Sequence, residues 1–142
     1  MNEKLHEAMY NFQYLELMLR GALRRFEDLI EDKMKGILNY QVDDDAIDNL
    51  PLGLLAKRYV KYTNNNKFKS EVGEVINARN QLAHRLFLSV EDNKGSFPEG
   101  FSKDVEAVLL HGDTAARLGD EVFTMMQHYY FDPVAQEWHV PS

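Results

Sequence analysis

Apolar residues recur every three or four positions along three long stretches of the chain, and this spacing predicts long amphipathic helices. The first helix is expected over Glu3–Lys35, the motif-bearing one over about Phe68–Val90, and a closing one after Ser102. A shorter apolar series that starts near Leu50 and ends at Thr63 predicts one more helix between the first two. The pattern therefore predicts an all-α fold, an up-and-down bundle of four to five helices.

The segments between these stretches have the composition of connections. Gln41–Pro51 is rich in aspartate and has no regular apolar spacing, so we expect a solvated loop there. A calcium loop is disfavoured because such loops alternate their ligands and contain a glycine turn. Asn93–Gly100 is the clearest predicted turn, and Asp132–Ser142, with two prolines, is expected to be non-helical. We therefore divide the chain into a bundle at 1–131 and a tail at 132–142.

Composition narrows the function classes further. The chain has 142 residues, which suits one domain, and no cysteine, which excludes disulfides and thiolate zinc sites. No apolar run approaches the ~18 residues of a membrane span, and the N-terminus does not resemble a signal peptide, so a soluble cytoplasmic protein is expected. Phosphate-binding glycine loops, nucleophile elbows and zinc helix motifs are absent from the sequence, and no metal or cofactor is expected.

The candidate chemistry is concentrated in the third long helix, at Ala78–Arg85. Arg79 falls within the predicted apolar stripe, where a guanidinium requires an ionic partner or an anionic ligand. Asn80 and His84 lie four residues apart and are therefore neighbours on one helix face. Arg79 and His84 project about 140° apart in a straight helix. A kink, or two copies of the helix facing each other across a two-fold axis, would bring them together, which predicts a homodimer.

The distribution of charge favours an anionic partner near this motif. The chain carries a net charge of −7, which by itself disfavours nucleic acid. Between Leu55 and Arg85, however, there are seven basic residues and only two acidic ones, so this segment has a net charge of +5 and the remainder has −12. The alternative is that these bases only solvate the outer faces of two helices.

The spacing Arg79-Asn80-Gln81-Leu82-Ala83-His84 resembles the signature of HEPN domains (higher eukaryotes and prokaryotes nucleotide-binding). The likeness extends to Tyr14–Arg20 in the first helix, to Leu52–Arg58 at the start of the second, and to the long closing helix. That family consists of helical bundles, many of them metal-independent endoribonucleases that act as toxins or in phage defence. The resemblance implies a dimer in which Arg79 and His84 of both subunits line one RNA cleft.

The resemblance also implies a role for each candidate residue. His84 would take the proton of a ribose 2′-hydroxyl, Arg79 would stabilise the charge on the phosphoryl oxygens, and Asn80 would orient His84 or bind a phosphate oxygen. The RNA backbone would be held by three further bases, namely Lys57, Arg58 and Arg85. In the alternative without catalysis, Arg79 pairs with a buried carboxylate such as Glu16 and His84 is only a surface residue.

One position departs from the family pattern. HEPN toxins controlled by a nucleotidyltransferase antitoxin often have a tyrosine two residues after the histidine, and Leu86 stands there in this chain. An antitoxin would therefore have to act by binding. The competing hypothesis from another class is a non-catalytic HEPN-like module that binds a nucleotide or a protein, and a transcriptional regulator ranks last because no helix-turn-helix is recognisable.

Overall fold

The computed structural model describes residues 2–92 and 101–141, so the turn expected at Asn93–Gly100 lies outside the described residues. The expectation of an all-α fold is confirmed, because these residues are mostly helical and add only a small two-stranded sheet. The elements in chain order are α1 (Asn2–Met34), α2 (Asp44–Asp48), α3 (Leu52–Thr63), α4 (Asn66–Asp92), α5 (Phe101–Gln127), β1 (Tyr130–Asp132) and β2 (Glu137–His139).

Helices α1 and α5 run side by side in the same direction. Gly112 of α5 lies against Ala8, and Gly119, about two helical turns later, lies against Tyr14 and Leu15. Asn11 also donates a hydrogen bond to the carbonyl oxygen of Gly112, at 3.1 Å. The glycines let the two helix backbones approach closely, which makes this pair the central layer of the bundle.

The remaining long helices complete a four-helix arrangement. Helix α3 begins beside the middle of α1, where Arg20 donates to the carbonyl oxygen of Leu50 at 3.0 Å, and it ends where Tyr62 donates to Glu27. It therefore runs in the same direction as α1, because the long connection after Met34 returns partway along α1. The up-and-down alternation holds from α3 through α5 but not between α1 and α3.

A tight turn joins α3 to α4 and sets them antiparallel. Asn64 ends α3 in the left-handed region, at φ 54°, and its N–H donates to the carbonyl oxygen of Val60. Asparagine tolerates this backbone conformation better than most residues. The side chain of Asn65 then accepts from the N–H of Phe68 at 3.0 Å, which caps the start of α4.

The core lies where α1, α3, α4 and α5 meet. Its largest fully buried apolar side chains include Leu15, Leu19, Leu55, Val75, Val108 and Leu118. Three apolar positions that share the helical spacing of the core are exposed: Met9, Leu54 and Ala83. Each has the correct helical spacing but lies at the edge of its apolar stripe, where no neighbouring helix covers it.

The acidic connection contains a short helix where a loop was expected. The carboxylate of Asp43 accepts a hydrogen bond from the N–H of Ala46 at 3.1 Å, which caps α2. Arg24 of α1 forms an ion pair with Asp48, and its Nε lies 4.0 Å from Oδ1 of Asp44. These aspartates therefore serve as a helix cap and as partners of an arginine.

The chain after α5 forms a small antiparallel hairpin. Tyr130 faces His139 and Phe131 faces Trp138 across the two strands. The rings of Tyr130 and His139 stack with centroids 4.7 Å apart, and Phe131 meets Trp138 edge-on at 6.0 Å. The segment is non-helical, as expected for the tail, but the non-helical part begins before Asp132 because α5 already ends at Gln127.

Candidate functional site

Helix α4 contains all of the motif residues and runs through them without interruption. Its core-facing positions are Val75, Ala78 and Leu82, which are all buried. Arg79 lies four residues after Val75 and seven after Val72, so it projects within about 40° of both buried valines, as the stripe predicted. The residue itself is half-buried and not buried, so its side chain keeps access to solvent.

The three central candidates have no side-chain partner within residues 2–92 and 101–141 as described. Asn80 and His84 are exposed, and neither they nor Arg79 forms a side-chain hydrogen bond or ion pair with a described residue. Glu16, the carboxylate considered as a partner of Arg79, instead accepts from Arg20 at 2.7 Å. The donors of Arg79 thus remain free for a ligand within the part of the chain that the structure describes.

An apolar stripe lies beside these residues on the outer face of α4. It consists of the half-buried Ile76 and the exposed Ala83 and Phe87, and Phe87 is 62% exposed. Helix α3 spans about 18 Å against about 40 Å for α4, and it packs on the N-terminal half of α4 only. The C-terminal half, which contains Ala83, His84 and Phe87, is left uncovered on that side.

Arg85 has a structural partner that the sequence did not suggest. Its Nε donates to Oδ2 of Asp104 at 3.1 Å, which joins α4 to the first turn of α5. The side chain of Asp104 is only 10% exposed, so Arg85 neutralises a nearly buried carboxylate. Arg85 therefore lies away from His84 and is already engaged, whereas Lys57 and Arg58 are exposed and form no ion pair among the described residues.

Lys57 and Arg58 lie at the edge of an open groove between α3 and α4, with a volume of about 730 Å³. We call it the α3–α4 groove; its lining residues are Leu50, Gly53, Leu54, Ala56, Lys57, Arg58, Val60, Lys61, Lys69, Val72, Gly73 and Ile76. Ile76 belongs both to this groove and to the outer stripe, one turn before Asn80. The sequence did not reveal the groove, because Leu54 and Ile76 have the same helical spacing as the buried residues.

Arg58 also borders a second, smaller cavity of about 380 Å³, near the end of α1. There Tyr40 and Tyr62 both donate hydrogen bonds to the carboxylate of Glu27. The hydrogen bond to Glu27 raises the pKa of Tyr40 to about 12, and burial with the same carboxylate raises the pKa of Tyr62. Both phenols remain protonated at neutral pH, so this cluster ties the connection after α1 to α3.

Comparison with protein-family models finds no match, and comparisons with curated proteins and with solved structures find none either. Across residues 2–92 and 101–141, no helix combines the length and the hydropathy needed to span a bilayer.

Proposed function

We propose that this chain is a HEPN-type, metal-independent endoribonuclease that acts as a homodimer, in a toxin or phage-defence role. The observation that carries the proposal is that Arg79, Asn80 and His84 lie on one helix and have no side-chain hydrogen-bond or ionic partner among the described residues. A guanidinium and an imidazole left free beside an uncovered apolar stripe suit a site that a second subunit completes.

The chemistry assigned to these residues is cleavage by the adjacent 2′-hydroxyl. His84 accepts the hydroxyl proton, and the 2′-oxygen attacks the neighbouring phosphorus. The bond to the 5′-oxygen breaks, that oxygen leaves with a proton, and the products are a 2′,3′-cyclic phosphate and a 5′-hydroxyl. Histidines suit this task because imidazoles generally change protonation near neutral pH. Arg79 donates to the phosphoryl oxygens as their negative charge grows.

Dimerisation supplies what a single helix lacks. Because α4 is continuous, Arg79 and His84 of one copy point about 140° apart. A second copy that packs on the outer stripe of Ile76, Ala83 and Phe87 would bring Arg79 of one subunit towards His84 of the other. Such packing would also bury Phe87, whose exposure is otherwise costly.

Lys57 and Arg58 are the better candidates for holding the RNA backbone. Both are exposed and have no ionic partner in the part of the chain that the structure describes, whereas Arg85 already pairs with Asp104. Backbone contacts of this kind provide affinity but little sequence preference. The alternative function, a non-catalytic module that binds a protein, is favoured by the apolar floor of the α3–α4 groove, which RNA does not require.

The test is cleavage of single-stranded and transfer RNA in excess EDTA by wild type, Arg79→Ala and His84→Ala. His128→Ala is the matched control, because His128 is also an exposed histidine and directly follows the C-terminal end of α5, outside the motif helix. We expect cyclic-phosphate products from wild type and the control, and none from the two site variants. Cleavage that survives in His84→Ala would rule out its role as the general base.

A mixing experiment tests the dimeric site directly. If Arg79 of one subunit works with His84 of the other, an equimolar mixture of the two inactive variants regains about a quarter of the wild-type rate, because half of the dimers then have one intact pair. Light scattering on the same samples measures the oligomeric state. A folded monomer, or a mixture without any regained cleavage, would contradict the composite site.

A further inference from the structure

The α3–α4 groove has an apolar floor that the fold leaves open to solvent. Its apolar lining comes mainly from Leu50, Leu54, Val60, Val72 and Ile76. Leu54 is 48% exposed although it has the spacing of a core residue. An exposed leucine beside further apolar side chains in a groove of about 730 Å³ is typical of a binding surface.

The edge of the groove is entirely basic. Four bases line it, Lys57, Arg58, Lys61 and Lys69, and no carboxylate is among the lining residues. None of the four forms an ion pair with a described residue. The whole chain has a net charge of −7, so four adjacent unpaired bases are not a consequence of its overall composition. They favour an acidic occupant.

Two glycines widen the groove from both sides. Gly53 of α3 and Gly73 of α4 both line it, and a Cβ added at either would meet no atom within 4 Å. No packing contact inside the chain therefore requires glycine at these positions. A glycine inside a helix costs about 1 kcal/mol relative to alanine. Because glycine has no side chain, a bound backbone or a large side chain of a partner can approach the helices closely at these two positions.

We propose that the α3–α4 groove binds an amphipathic, acidic helix of a partner protein. Leucine-like side chains at positions i, i+3 or i+4 and i+7 would enter the apolar floor, as in other helix-in-groove complexes. Glutamates or aspartates at the edges of that apolar face would meet the lysines. Helix α3 is about 18 Å long, which matches about three turns of a bound helix.

Binding of this kind has a consequence that rests on the proposed function. Lys57 and Arg58 would be covered by the bound helix, and they are the same residues proposed to hold the RNA backbone. A partner in the groove would therefore compete with RNA and reduce cleavage without modifying the chain. The binding itself is measured without any cleavage assay, so it can fail or succeed independently of the ribonuclease proposal.

The test uses a fluorescein-labelled helical peptide with leucines on one face and glutamates on the other. Two control peptides have the same leucines with lysines in place of the glutamates, or the same composition in shuffled order. Fluorescence anisotropy is measured against wild type, Lys61→Glu, Leu54→Ser and Gly73→Gln. The matched protein controls are Lys33→Glu and Leu110→Ser, which are also exposed but lie outside the groove.

We expect saturable binding of the acidic peptide only, weakened at least about ten-fold by each groove variant and unchanged by the two controls. Gly73→Gln is the sharpest variant, because its side chain enters open space and leaves the helix folded or more stable. Equal binding of the lysine peptide, or unchanged binding to a folded Gly73→Gln, would refute the proposal. Binding that is weakened by Lys61→Glu but not by Leu54→Ser or Gly73→Gln would show that the site recognises only charge, as a site for RNA would. That result would also overturn the proposal.

Discussion

Replacing glycine by alanine should raise the stability of this fold at Gly73 and lower it at Gly112. Gly112 faces α1, and a Cβ there would lie 2.9 Å from Cβ and 3.1 Å from Cα of Ala8. Gly73 faces the open groove, and a Cβ there would meet nothing within 4 Å. Both lie inside long helices, so the change in helix propensity is the same and cancels in the comparison.

The expected magnitudes follow from these distances. At Gly73, alanine gains about 0.5–1 kcal/mol of stability from helix propensity and the reduced freedom of the unfolded chain. At Gly112 the same gain is opposed by about 1–3 kcal/mol of overpacking, because the clash involves the backbone of α1 and no side chain can rotate away. The two variants should therefore differ by about 1–3 kcal/mol in their free energy of unfolding.

Urea unfolding followed by far-UV circular dichroism measures this difference, with the m-value checked for constancy. In thermal unfolding, Gly73→Ala should raise Tm by about 2–4 °C, and Gly112→Ala should lower it. Replacing Ala8 by glycine should lose less stability in the Gly112→Ala background than in wild type, because it removes the clashing methyl group. Equal stability of Gly112→Ala and Gly73→Ala would refute the close approach of α1 and α5.

Two further predictions concern the ion pair between α4 and α5 and the behaviour at alkaline pH. Arg85→Ala should lower the free energy of unfolding in urea by about 1–3 kcal/mol, because it leaves Asp104 nearly buried without a counter-charge. In an Asp104→Ala background, the same Arg85→Ala change should cost much less. If the two substitutions are fully additive, the pairing is contradicted. Burial raises the pKa of Tyr59 from its ordinary 10.0 to about 12. The protonated Tyr59 therefore makes its full contribution to stability below pH 10, and this contribution should be lost as the pH rises from 10 to 12. Tyrosinate absorbance against pH checks this, and Tyr59→Phe, if folded, should flatten the alkaline loss of stability.

The positions of the long helices could be predicted closely. The expected Glu3–Lys35 is observed as Asn2–Met34, and the motif helix extends only two residues further at each end than Phe68–Val90. The short helix α2 was missed because its signal is a single capping aspartate, Asp43, beside one buried residue, Ile47. The hairpin was missed because its strands have only three residues each.

The candidate site was less predictable than the helix that contains it. The spacing places Arg79 on the same face as the buried Val72 and Val75, yet the residue is only half-buried. Helical spacing gives the direction of a side chain and not the depth to which neighbouring helices cover it. The pairing of Arg85 with Asp104 joins residues on different helices, and no spacing within one helix encodes it.

By itself, the sequence determined where the long helices lie and which residues share a helix face. These properties depend on hydrogen bonds and side chains only three or four residues apart. Only the tertiary structure decided that α3 covers half of α4, so that Leu54 and Phe87 are exposed and the α3–α4 groove is open. The physical reason is that burial depends on the direction and length of neighbouring helices, which are set by contacts between residues distant in the chain.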